Sequence, residues 1–147
     1  MIERYLSEGP PDELSDGYFA TGDVGRFDAD GFLYVVDRKK DMIISGGVNI
    51  YPAEVESALR EHPSVLDAAV FGIPHPEWGE QVKAVVECVR GRTLDEEELL
   101  AFVSDKLAGY KRPRSIDFVT EIPRNPSGKA LKAGLRAPYW EAAGKAI

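Results

Sequence analysis

Cysteine is nearly absent: Cys88 is the only one in 147 residues. A lone thiol excludes an internal disulfide and any cysteine-based metal site, and its place in the apolar run VKAVVECV predicts a small core side chain. Histidine is almost as scarce, and neither His62 nor His75 stands near a carboxylate cluster of ligand spacing, so no metal centre is expected. No apolar run approaches the length of a membrane span. The N-terminus, MIERYLSEGPPDELSDGYFATGD, is charged at Glu3 and Arg4 where an export signal needs an apolar core. A cytoplasmic location is the default expectation. Low-complexity tracts are lacking too, and 44% hydrophobic with 29% charged residues is the composition of a soluble, folded protein. The length fits one domain, or one small domain with an appendage.

Charge of one sign dominates, at −7 overall, but unevenly. Between Lys106 and Arg136 eight basic side chains face two acids, a local balance of +6 that leaves the remainder at −13. Such a segment is either a solvated face or a receiver for a polyanionic ligand, and the acidity elsewhere argues against nucleic acid.

Residues 1–17 are rich in Pro, Glu, Asp and Ser and read as irregular. GRFDADGFLYVVDR reads as a hairpin about the DADG turn, and MIISGGVNIYP as a second about Gly46 and Gly47, ended by Pro52. AEVESALREH, behind Pro52, has helical spacing at Val55, Ala58 and Leu59. VLDAAVFGI and QVKAVVECV read as strands joined by a loop, PHPEWGE. DEEELLAFVSDKLAGY reads as a helix capped by Asp95 and ending at Gly109. RSIDFVTEIP reads as a strand stopped at Pro123, and KALKAGLRAPYW as a short helix with solvent-facing lysines. From residue 52 the order is helix, strand, strand, helix, strand, helix, which predicts a small α/β sandwich.

NPSGKALK, residues 125–132, poses the functional question. Asn125, Pro126, Ser127 and Gly128 are turn formers, so Lys129 is either a solvated surface lysine or a cation that a flexible turn presents to an anion.

TGDVGRF, DRKKDMIISGGVNIYPAEVE, GIPHPEWGEQVKAVV, YKRPRSIDFV and IPRNPSGKALK, in this order over about residues 16–136, resemble the carboxyl-terminal part of the adenylate-forming acyl-CoA synthetases. The resemblance implies an α/β (α+β) fold class: a small C-terminal lid domain with a three-stranded mixed sheet flanked by helices plus a β-hairpin, preceded by the β-rich end of a large N-terminal domain. It implies residues 1–39 as the last piece of that large domain, 40–137 as the mobile catalytic domain and 138–147 as a tail. The ATP-phosphate loop of the family is not in the sequence, so the chain is expected to need a missing N-terminal domain and to be inactive alone.

The implied reaction joins a carboxylic acid, fatty acids being the family prior, to CoA with ATP and Mg, through acyl-AMP. Lys129 then matches the lysine that reaches the carboxylate and α-phosphate. Asp23 matches the carboxylate on the ATP ribose hydroxyls, with a turn cap as its plain alternative, and Arg38 matches the arginine beside it. Lys40 falls at the hinge, where a charged linker has the same composition. Gly46 and Gly47 fall on the loop lining the pantetheine tunnel, or simply make a tight turn. Trp78 and Tyr110 match aromatics around the CoA adenine, and Arg112 and Arg114 the basic groups at its phosphates. A carrier-protein pantetheine is a possible acceptor as well, and the Trp78 and YKRPR pattern favours free CoA. A module that binds CoA or a partner without catalysis is the alternative function.

Overall fold

The computed structural model describes residues 13–14, 18–19 and 21–144, and expectations for other positions lie outside the described residues. The chain divides between Lys40 and Asp41. In the first unit β1 (Glu13–Leu14) pairs with β2 (Tyr18–Phe19), and β3 (Asp23–Phe27) runs antiparallel to β4 (Leu33–Arg38). The DADG turn forms as its residues dictate: the Asp28 carboxylate accepts the N–H groups of Asp30 and Phe32 at 3.0 and 2.9 Å, and Gly31 takes a φ of 85°.

The second unit contains β5 (Ile43–Ser45), β6 (Val48–Ile50), α1 (Pro52–Arg60), β7 (Val65–His75), β8 (Gly79–Cys88), α2 (Glu96–Ser104), β9 (Ser115–Val119) and α3 (Lys132–Ala142). Its central strand is β8, antiparallel to β7 along its whole length and parallel to β9, while the β5–β6 hairpin joins at Ser45 and Gly79. The expected three-stranded sheet is thus the centre of a five-stranded one.

Both faces of β7 and β8 are covered, which is why they read as nearly continuous apolar runs. On one face Ala68, Val70, Val82, Ala84 and Val86 pack against Val55 and Leu59 of α1 and Leu99 and Val103 of α2. On the other, Ala69, Phe71, Ile73 and Val85 pack against Ile122 and, from α3, Leu135 and Tyr139. Each large buried aliphatic contributes about 1.5–3 kcal/mol. Cys88 is half-buried against the first cluster, and burial pushes its thiol up from the ordinary range.

β7 is an edge strand, and side chains cover what it would expose. The buried Glu56 carboxylate accepts the Val70 N–H at 2.8 Å, and the Trp140 indole N–H donates to the Gly72 carbonyl at 3.1 Å.

Three expectations change. β7 and β8 extend through most of PHPEWGE, leaving only residues 76–78 as the connection, because the Nδ1 atom of His75 accepts the N–H groups of Glu77 and Trp78 at 3.2 and 3.3 Å and closes a tight turn. α2 begins at its Asp95 cap, whose carboxylate accepts the Glu98 N–H at 2.8 Å, but ends at Ser104 and not at Gly109. The Arg112 guanidinium takes the carbonyls of Ser104 and Leu107, at 2.6 and 3.0 Å, that a continuing helix would reserve for its own N–H groups. The lysine of α3 does not face solvent: Lys132 pairs with Glu56 at 2.7 Å.

Candidate functional site

The first unit brings Asp23 and Arg38 together. They face each other in the β3–β4 register, with Arg38 Nε 3.3 Å from Asp23 Oδ1, and Asp23 Oδ2 has no partner among the described residues. The Lys39 N–H donates to the Gly22 carbonyl at 2.8 Å, folding the end of β4 back over the start of β3. Beside the pair lies an open cavity of about 470 Å³ lined by Thr21, Gly22, Arg38, Lys39 and Lys40. Arg38 brings a planar set of N–H donors to this cavity with the Asp23 carboxylate paired to it, an arrangement that suits a polyhydroxylated, anionic ligand.

In the second unit a cavity of about 260 Å³ gathers Gly46, Trp78, Gln81, Tyr110, Arg112 and Arg114, residues far apart in sequence. Three elements converge on it. The β7–β8 turn carries Trp78, the β5–β6 turn carries Gly46, and a 3-10 turn over Gly109–Lys111 carries Tyr110. The Gly46 N–H donates to the Trp78 carbonyl at 2.9 Å, and the Arg114 N–H donates to the Val82 carbonyl at 2.8 Å. Gly46 and Gly47 have φ of 57° and 80°, so the hairpin turn itself requires glycine there, and Gly47 is not part of the cavity wall.

Trp78 and Tyr110 remain 39% and 50% exposed and do not belong to the core. Arg114 lies over the Trp78 ring, 5.2 Å from its centroid, which holds an exposed cation beside an aromatic face. Arg112 differs from its neighbour, since two of its donors already serve the end of α2. It lines the cavity while two of its nitrogens hold the end of α2. His75 was not singled out by sequence, yet its ring stacks on Trp78 with centroids 4.3 Å apart and planes 11° from parallel. The three-residue interval from His75 to Trp78, across Pro76, was the available signal.

Lys129 does not line the cavity of its own unit. Its hairpin is closed by Asn125, whose carboxamide oxygen accepts the Ser127 and Lys129 N–H groups at 3.0 and 2.9 Å, while the Asn125 N–H donates to the Lys129 carbonyl at 2.9 Å. Gly128 takes a φ of 80°, and Arg124 pairs with Ala130 as an isolated bridge. The expected flexible turn is therefore a closed one. The Lys129 side chain is exposed, and its ammonium has no ion pair among the described residues.

No group of three His, Cys, Asp or Glu among the described residues is placed to hold a metal ion. No helix among them is long and apolar enough to cross a membrane.

The second unit's layers, with the preceding β-rich segment, define the class: the C-terminal domain of adenylate-forming enzymes. ATP-bound MatB from Rhodopseudomonas palustris matches 86% of this chain with a TM-score of 0.81 at 42% identity, over 25% of its own length. The chain belongs to the AMP-binding enzyme C-terminal domain family, whose model matches residues 54–129. A feruloyl-CoA synthase of an Amycolatopsis species is 52% identical over 132 residues, and a long-chain-fatty-acid–CoA ligase of Mycobacterium tuberculosis is 45% identical over 141. These alignments take in 90% and 95% of this chain, which spans 27% and 28% of those relatives' lengths.

Proposed function

We propose that this chain is the C-terminal part of an ATP-dependent, AMP-forming acyl-CoA ligase, working with a large N-terminal domain that holds most of the ATP and acyl sites. The observation that carries the reading is Lys129: an exposed ammonium without an ion pair, on a closed hairpin, at the end of the segment matched by the family model.

In the first half-reaction an acid carboxylate oxygen attacks the α-phosphorus of ATP, and pyrophosphate leaves. Negative charge builds on the phosphoryl oxygens, and the Lys129 ammonium stabilises it. Asp23 accepts ribose hydroxyls and Arg38 donates to the same part of the nucleotide. Magnesium enters with the ATP phosphates, held mainly by the large N-terminal domain. In the second half-reaction the CoA thiol attacks the acyl carbon, and AMP leaves. Trp78 and Tyr110 contact the adenine of CoA at the cavity, Arg114 meets its phosphates with Arg112 behind it, and the turn of Gly46 and Gly47 borders the pantetheine path. Lys40, at the division of the chain, is the hinge between the two steps.

The acid varies among relatives, whose names cite ferulate and long-chain fatty acids, and fatty acids are one candidate substrate class. A cytoplasmic setting supplies ATP and CoA. A second reading, a CoA-holding module without catalysis, draws on the Trp78 cavity being complete within the second unit. The two separate on one substitution. In the complete ligase, Lys129→Ala is expected to abolish acyl-AMP formation, measured by pyrophosphate exchange, while thioester formation from supplied acyl-AMP continues. Unchanged adenylation, or equal loss of both steps, overturns the assignment.

A further inference from the structure

Arg124 stands at the start of the Lys129 hairpin and spends its guanidinium on two acceptors. One N–H donates to the Gly128 carbonyl at 3.0 Å, the peptide immediately before Lys129, and another forms a hydrogen-bonded ion pair with Asp67 on β7. Asp67 is itself held from two more directions: its Oδ1 accepts from Arg60 of α1 at 3.2 Å and from the Ala68 N–H at 2.8 Å. The contacts of Asn125 close the hairpin internally but do not orient it on the sheet. The Arg124 side chain does, because it ties the backbone before Lys129 to an edge strand whose own position is set by the core.

We infer that Arg124, anchored by Asp67, is a positioning residue for Lys129, fixing the direction in which the adenylation lysine leaves the domain. The inference rests on the reading of Lys129 given above. Two separate nitrogens of one planar guanidinium serve acceptors on different elements at once, a fixed spread that the single nitrogen of an ammonium reproduces only in part. Burial alone would raise the Asp67 carboxyl, but the hydrogen bonds from Arg124, Ala68 and Arg60 hold it below the ordinary carboxylate range, so the clamp is charged at neutral pH. The far end of the hairpin is secured separately, by the Leu131 N–H on the Pro123 carbonyl at 2.8 Å and by Lys132 on Glu56. Loss of Arg124 therefore tilts the hairpin without releasing it.

The test compares Arg124→Gln, Arg124→Lys, Asp67→Asn and Lys129→Ala in the complete ligase, with both half-reactions measured. Arg124→Gln is expected to lower kcat for acyl-AMP formation about 10- to 100-fold, with KM for ATP and the thioester step nearly unchanged. Asp67→Asn should act in the same direction and less strongly, and Arg124→Lys should restore only part of the rate. In the 147-residue chain, NMR hydrogen exchange at the Lys129 and Ser127 amides should quicken in Arg124→Gln while Val85 and Val86 keep their protection. Wild-type adenylation by Arg124→Gln beside an inactive Lys129→Ala overturns this inference alone. Active Lys129→Ala overturns the reading beneath it. If Arg124→Gln fails to fold, Asp67→Asn and Arg124→Lys decide: a selective loss of adenylation supports the clamp, and none, or an equal loss of both steps, overturns it.

Discussion

Lys83 is 5% exposed, a lysine almost wholly withdrawn from water under α3. It stays in place because Asp117 of β9 meets it at 2.6 Å and is in turn hydrogen-bonded by the Tyr139 hydroxyl of α3. A buried ammonium without such a partner would be strongly destabilising. Burial, then the bond to Asp117 and its charge, push the Tyr139 phenol from 10.0 up to about 12. A folded-state value raised above the unfolded one contributes stability that is present below pH 10.0 and lost as pH rises toward about 12. Chemical denaturation across that window should show the loss in the native protein and a smaller one in Tyr139→Phe, and an ultraviolet titration should lose its latest-ionising phenol. Asp117 has the opposite sign: burial raises it, the bonds from Lys83 and Tyr139 lower it further, and its contribution disappears only as pH falls below 3.8.

Among elements, the β5–β6 hairpin is fastened to the sheet by little backbone pairing and by one carboxylate. Glu80 Oε2 accepts the Ile44 N–H at 2.9 Å, and a Cβ on Gly72 would meet that same oxygen at 2.5 Å. Gly72→Ala should therefore displace Glu80, release the Ile44 amide and cost about 1 kcal/mol. In a Glu80→Ala background the alanine has no carboxylate to strike, so a double-mutant cycle in denaturant should show the Gly72 effect shrinking; additive effects would disprove the link. Element types and order were legible in the sequence because apolar period and turn residues agree from GRFDADG to α3. The end of α2 was not, since it depends on Arg112, eight residues beyond Ser104, reaching back to backbone carbonyls. The turn at His75 escaped for the same reason: a ring nitrogen accepting two N–H groups leaves no mark in a hydropathy pattern.

For the molecule as a whole, half of the eight basic side chains from Lys106 to Arg136 are neutralised from within. Lys106 pairs with Glu61, Lys111 with Glu54, Arg124 with Asp67 and Lys132 with Glu56, while Arg112 serves carbonyls. Counting charges along the chain revealed the excess but not its partners, which come from the acidic α1 and β7. What stays exposed and without an ion pair among the described residues is Arg114 and Lys129, one at the aromatic cavity and one on the hairpin. Titration of the 147-residue chain with CoA should accordingly quench Trp78, identified by Trp78→Phe. Arg114→Ala should weaken that binding several-fold without changing stability, whereas Arg112→Ala should lower the thermal midpoint as well. Equal loss of stability in both variants would count against the division of labour.

The parallel pairing of β9 with β8 also sets an order of events when the chain folds. β7 and β8 meet through a three-residue turn, whereas β9 reaches β8 only after α2 and its flanking loops have been traversed. Local pairings form early and distant ones late. The strand that brings the Lys129 hairpin and α3 to the sheet is thus the last to arrive, and weakening it should hasten unfolding more than it slows folding.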